Sequence, residues 1–283
     1  MDPWLAAPLT LSLLIAVLYC HRRWRALLPE DPPGGPGRRR HGEHVPMAGW
    51  IPSLVALSVM ALDGLSPFVI GGIALCCLTG VFDDISKSRG SEMAWYTKGA
   101  LLSVATGLVM YPVALSQHLD PVDLLVLFLW LFAVTNAVNF MDNTDGVAIG
   151  LAVLAFSFAT GGVGTMATVG FAFLGFLPMN WPRSYLFLGD SGSLPLGMCL
   201  AWSCLSLGIE QGQPPFSQVT IMPLAIFAVD FVQVILARLL MGIPPWRGDR
   251  RHITHISLNI GLPRVLVAPV FVGLGYAAYS FWN

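Results

Sequence analysis

Five of the sixteen acidic residues in this 283-residue chain stand in short polar clusters at the edges of strongly apolar runs. They are Asp83 and Asp84 in "GVFDDISK", Asp142 and Asp145 in "NFMDNTDG", and Asp190 in "FLGDSGS". Two carboxylates about 5 Å apart repel by roughly 3 kcal/mol at an effective dielectric of 20. A gathered set therefore calls for protonation or for cations. A hard divalent ion, Mg²⁺ or alternatively Mn²⁺, suits such a set, because Mg²⁺ takes few protein carboxylates and completes its shell with water and phosphate. Asp142 and Asp145 share a spacing of three with Asn136 and Asn139, so a helical continuation places each pair on one face. Each cluster alone has a plain structural reading: a helix end at an interface, or an N-cap opening the next helix. Their joint presence at similar junctions favours a site.

Two further stretches supply donors. "PPWRGDRRHITHIS" carries Arg247, Arg250, Arg251, His252 and His255. Its histidines are three apart and do not form an HExxH zinc motif. Guanidinium and imidazole groups beside carboxylates suit a diphosphate, and the alternative is an anchor for anionic lipid headgroups. In "RHGEHVPMAG", His41 and His44 flank Glu43. That segment reads either as the end of a flexible basic loop or as a fold-back toward the site.

The elements that must position these groups are membrane helices. The chain is 55% apolar and 11% charged, with mean hydropathy +0.69, against about 25% charged residues in soluble domains. Apolar spans are predicted at 4–20, 46–62, 65–82, 99–116, 122–139, 147–161, 163–179, 192–209, 218–237 and 265–282, several near the short limit for crossing a bilayer. With ten alternating helices, all fifteen Lys and Arg residues fall in the loops beginning at 21, 83, 140, 180 and 238 or at the adjoining helix ends. By the positive-inside rule that face is cytoplasmic and both termini lie outside.

The expected fold is thus an all-α polytopic bundle. It forms a single domain over 1–283, with cytoplasmic loops at 21–45 and 238–264. "MDP" before the first span and "HRRWR" after it suit an N-out anchor rather than a cleaved signal. Cys20, Cys76, Cys77, Cys199 and Cys204 lie in or beside apolar spans at no metal or disulfide spacing, and read as packing residues. Asp230, within "FAVDFVQV", is the intramembrane acid. It is expected either to line a groove or to pair with Arg238.

"GVFDDISK", "NAVNFMDNTDG", "FLGDSGSLPLG" and "GDRRHITH" resemble, in that order, the four cytoplasmic motifs of the polyprenyl-phosphate N-acetylhexosamine-1-phosphate transferase family. The likeness covers nearly the whole chain. "RHGEHVPMAG" and "VDFVQVILARLLMGIPPWRGDRRHITH" are similar to the loop and tail of its WecA-like branch. The resemblance implies transfer of HexNAc-1-phosphate from a UDP-N-acetylhexosamine to a polyprenyl (undecaprenyl) phosphate, releasing UMP and starting a cell-surface polysaccharide such as O-antigen. It implies Asp190 as the Mg²⁺ ligand, with Asp84 beside it, and Asp83 and Asp84 at the prenyl phosphate.

The resemblance further places Asp142, Asp145, His252 and His255 among the catalytic groups. Asn136, Asn139, Asn180, Phe187, Lys87, Arg250, Arg251, His41 and His44 become the substrate-binding set. The partners implied are the sugar nucleotide, the lipid phosphate and the bilayer, with no nucleic acid; a homodimer is left open. Two departures stand out: Asn143 replaces the glycine of "DGxDG", and Thr254 replaces a histidine of "HIHH". The rival readings are the phospho-MurNAc-pentapeptide translocase, disfavoured by the lost histidine, and an ion-coupled transporter. The transporter would place its acids near the bilayer midplane and show repeat symmetry.

Overall fold

The computed structural model describes residues 3–24, 27–31 and 44–282; His41 lies outside them. Helix α1 (Pro3–Trp24) is followed by a two-residue antiparallel pair, β1 (Glu30–Asp31) and β2 (Val45–Pro46). Then come α2 (Trp50–Leu62), α3 (Pro67–Ser88), α4 (Trp95–Gln117), α5 (Pro121–Met141), α6 (Val147–Thr160), α7 (Gly164–Leu174) and α8 (Leu177–Asn180). After α9 (Asp190–Glu210), α10 (Gln218–Ile221) runs through a 3₁₀ turn into α11 (Ala225–Leu240), and α12 (Ile253–Asn259) and α13 (Arg264–Trp282) complete the chain. The expected all-α architecture is observed, with a minimal hairpin added.

Each predicted apolar span overlaps helix, but bounds and lengths differ, and the span 46–62 begins in β2 with its helix starting only at Trp50. Among the described residues, seven segments are long and apolar enough to cross a membrane: Trp4–Arg23, α3, α4, α5, α9, Gln218–Leu240 and α13. Helices α2 and α6 have 13 and 14 residues, about 20 Å at 1.5 Å per residue, short of a hydrocarbon core of roughly 30 Å. The predicted span 163–179 is broken: α7 stops at Gly175 and α8 is a separate turn. Continuous apolar sequence concealed these breaks, because hydropathy registers side chains and not where a helix ends.

Helix starts follow local chemistry. Asp120 caps α5 by accepting from the amides of Val122 at 2.8 Å and Asp123 at 2.9 Å, with Pro121 at the first helical position, where its missing N–H costs no bond. Helix α9 is the central element, apolar on all sides and 78% buried over its most apolar stretch, as expected of a helix enclosed by others. It packs on α3 and α5. At Gly80 of α3, a Cβ would lie 2.2 Å from the backbone of Asp190. Small residues permit such close crossings where lipid supplies no hydrophobic drive between helices. Trp130 of α5 donates to the carbonyl of Ala201 at 2.9 Å, and Ser53 of α2 to that of Ser191 at 2.9 Å. These bonds tie α9 to its neighbours at its middle and at its first turn.

Candidate functional site

The C-terminal ends of α3, α5 and α11 and the N-terminal ends of α4, α9 and α12 surround one cavity of about 510 Å³. Leu102, Phe132, Phe231 and Ile235 give it an apolar part. Its polar part contains the sequence motifs.

Asp190, first residue of α9, is joined to Asp83 by two ammonium groups. Lys87 lies 2.9 Å from both Asp83 Oδ2 and Asp190 Oδ1. Lys98 pairs with Asp83 Oδ2 at 3.4 Å and also with Asp190 Oδ2. Lys87 reaches its partners because it stands one turn after Asp83 on α3. Asn139 of α5 donates from one amide nitrogen to Asp190 Oδ1 at 3.2 Å and Ser193 Oγ at 2.8 Å. Asp83 also accepts the amide of Met93 at 3.0 Å. Alternating like this, two carboxylates and two ammoniums share a buried space that neither sign could occupy alone.

Other acids have different partners. Both oxygens of buried Asp84 cap α9 from a neighbouring helix, accepting from Asp190 N at 2.9 Å and Ser191 N at 3.1 Å. The Cβ that any other residue would carry at Gly189, whose φ is +63°, would lie 2.6 Å from that carboxylate. Asp145 is held by Arg264 at 2.8 and 3.0 Å, tying the α5–α6 turn to α13. Neither Asp84 nor Asp145 lines the cavity, nor does Asp83. Asp142, at the end of α5, does.

The acid cluster therefore needs an added cation less than its sequence suggests, since Lys87, Lys98, Arg264 and two backbone amides already partner Asp83, Asp84, Asp145 and Asp190. Among the described residues no three His, Cys, Asp or Glu side chains converge to hold a metal ion. The donors that do line the cavity, Asp190, Asp142 and Asn139, are oxygen-bearing and hard. That set fits Mg²⁺, which is held by one or two carboxylates together with substrate phosphates.

Of the expected substrate-binding residues, Lys87, Asn136, Asn139 and Phe187 line the cavity, as do His252 and His255. Phe187 is placed by β2: its amide donates to the Pro46 carbonyl at 2.9 Å and its own carbonyl accepts from Ala48 at 3.1 Å. Asn180 is a buried strut, accepting from Gly146 N at 2.7 Å and donating to Leu186 O at 3.0 Å. It does not line the cavity. His44 is exposed and lies 3.5 Å from Glu30. Met47 and Asp31 are what this segment contributes to the lining. Arg250 is exposed and Arg251 pairs with Asp249 at 2.6 Å; neither reaches the cavity wall.

Both expectations for Asp230 are overturned. It is fully buried, absent from the cavity wall, and pairs with His252 at 2.7 Å. Arg238 instead chelates Asp249 at 3.2 and 3.3 Å, donates to Pro245 O at 2.5 Å, and lies over the Phe140 ring at 5.0 Å. Burial raises the Asp249 carboxyl, but bonds from Arg238 and Arg251 outweigh it and hold the group below the usual carboxylate value. Lys98, Asp249, Trp95 and Trp246 line the cavity without having been singled out, and Arg238 does so although it was expected only as a partner of Asp230. Only Arg238 carried a signal, its place in the tail motif. Trp95 and Trp246 stack at 4.3 Å from separate elements, a pairing no local pattern reveals.

A helical membrane bundle that gathers lysine-bridged aspartates, amides and imidazoles around a cavity with an apolar part is a site for joining a polar, anionic substrate to an apolar one. Residues 66–208 match the family described as Glycosyl transferase family 4, and the chain belongs to that family. It is 28% identical over 239 residues to the undecaprenyl-phosphate alpha-N-acetylglucosaminyl 1-phosphate transferase of Thermotoga maritima, covering 84% of this chain and 76% of that protein. Its similarity to the decaprenyl-phosphate N-acetylglucosaminephosphotransferase of Mycolicibacterium smegmatis is 32% over 273 residues, 83% and 66% of the two chains. To the phospho-N-acetylmuramoyl-pentapeptide-transferase of Staphylococcus carnosus it is 36% over 119 residues, 39% and 37% of the two.

Proposed function

We propose that this protein transfers HexNAc-1-phosphate from a UDP-sugar to a polyprenyl phosphate, giving prenyl-diphospho-HexNAc and UMP. The observation that carries the reading is the Asp83–Lys87–Asp190–Lys98 network beside the apolar part of the cavity. Charge for a diphosphate and a surface for a prenyl chain meet there. The relatives' names, with undecaprenyl or decaprenyl phosphate as acceptor, support the same reading.

The acceptor phosphate attacks the β-phosphorus of the sugar nucleotide; a new P–O bond forms as the bond to UMP breaks. A phosphate monoester with a second pKa near 6 is largely dianionic at pH 7, so no strong base is required. The residues' work is positioning and charge neutralisation. Lys87 and Lys98 bring ammonium groups to the anionic oxygens, and His252 and His255 bring imidazoles. Asp190 and Asp142, with the Asn139 amide, would hold Mg²⁺, which when bound neutralises phosphate charge. Phe187, almost fully buried against Val45 and Met47, backs the cavity wall near which the base would lie. A single displacement is favoured over a covalent aspartyl intermediate, because a dianionic acceptor phosphate is itself a competent nucleophile. The basic loops support a site that faces the cytoplasm, by the positive-inside rule.

Purified protein with undecaprenyl phosphate, Mg²⁺ and a panel of UDP-HexNAc donors is expected to release UMP and form a lipid-linked sugar. Chelation stops turnover and Mg²⁺ or Mn²⁺ restores it. Asp190→Asn lowers turnover at least about 10²-fold, the scale of losing one electrostatic stabiliser. No UMP from any donor would remove the proposal. UMP from UDP-MurNAc-pentapeptide alone would move it to the translocase branch.

A further inference from the structure

Asp230 lies in α11 with no solvent exposure, and its two oxygens have separate duties. Oδ1 accepts the backbone N–H of Ile253 at 2.8 Å, and Oδ2 faces His252 Nδ1 at 2.7 Å. One carboxylate thus holds both the main chain and the imidazole at the start of α12. A carboxylate only accepts, so the Nδ1 it faces carries the proton. His252 is nearly buried and lines the cavity, and the bond to Asp230 is the one hydrogen bond its ring makes among the described residues. The Phe140 ring stands edge-on at 6.0 Å and the His255 ring at 6.1 Å, which limits how the imidazole can turn.

We infer that Asp230 is a positioning residue that holds His252 in its Nδ1-protonated form and reserves Nε2 for the substrate diphosphate. The identity of that ligand rests on the transfer proposed above; the tautomer does not. A neutral ring held this way offers Nε2 as a lone pair. A doubly protonated ring offers a cationic N–H to a phosphate oxygen, its charge matched by the buried carboxylate behind it. Carboxylates play the same orienting part behind other functional imidazoles.

Asp230→Asn is the informative variant. The Ile253 N–H needs an oxygen, so the amide NH₂ must face Nδ1 and force the proton to Nε2. In ¹⁵N-histidine-labelled protein in micelles, at a pH where the ring is neutral, His252 is assigned by its loss in His252→Gln. The wild type should show a protonated Nδ1 and a bare Nε2, and Asp230→Asn the reverse. A wild-type His252 protonated at Nε2 overturns the inference even if the variant does not fold, and so does an unchanged tautomer in a folded variant. In the UMP-release assay, Asp230→Asn and His252→Gln should each lower kcat about 10- to 100-fold, with the double variant no worse than either. Additive losses would sink the coupling. Absence of UMP with every donor would remove the transfer reading, leaving the tautomer to be decided by the resonances alone.

Discussion

Asp84 and Asp190 look alike as motif aspartates, yet their surroundings divide them. Asp84 spends both oxygens on the first amides of α9, whereas Asp190 lines the cavity between two lysines. Asp84→Asn replaces one acceptor with a donor aimed at a backbone N–H. A lost helix cap costs about 0.5–2 kcal/mol, so thermal unfolding in detergent should fall by several degrees. The activity that remains in the cold, folded protein should exceed that of Asp190→Asn. Equal activity losses with unchanged unfolding would return Asp84 to the metal site.

At the scale of elements, Asn143 and Thr254 join the α5–α6 turn to α12. Thr254 is fully buried and donates to Asn143 Oδ1 at 2.5 Å, which also accepts from Thr144 at 2.9 Å. Asn143 in turn donates to Phe140 O at 2.7 Å. Two residues that depart from the family pattern are therefore bonded to each other, and their effects should not add. A double-mutant cycle of Asn143→Ala and Thr254→Val is expected to give a coupling of about 0.5–3 kcal/mol in unfolding free energy; additivity would show the contact to be incidental. The loop before α12 depends on Asp249. Its carboxyl is held below the ordinary value, so the unfolded loop binds the proton more readily. The resulting stability is present above the usual carboxylate pKa of about 3.9 and is lost as pH falls through the lower folded value. Protease cleavage between 241 and 251 should therefore rise at low pH, and Asp249→Asn should show that sensitivity already at neutral pH.

For the whole molecule, the question is how helices of unequal length sit in one bilayer. Among the described residues, seven segments are long enough to cross, while α2 and α6 are not. In the proposed orientation the cavity ends of α3 and α4 face the cytosol and the α4–α5 connection lies outside. Single cysteines at Arg89 and at Asp120, in a background free of the five native cysteines, should be labelled by an impermeant thiol reagent from opposite sides of sealed vesicles. Labelling of both from one side would overturn the topology. Short helices packed against α9 and α7 bury part of their surface in protein rather than lipid, so spanning length is not required of every helix.

Composition and the placement of charge were enough to establish a helical membrane protein, because a chain this apolar has no soluble alternative and a helix satisfies its own backbone in lipid. The aspartates at helix junctions likewise announced a site before any coordinates, since charge there is costly without a use. Their partners were not legible. Lys98 lies 92 residues from Asp190 and His252 lies 22 from Asp230, and no local spacing encodes contacts between helices. Nor could the sequence separate the acid that faces the cavity from the one that caps a helix, for Asp83, Asp84 and Asp190 are chemically identical. Which way each carboxylate points was decided only by the close crossing of α3 and α9 at Gly80, which sets one acid on a backbone and leaves another between two lysines.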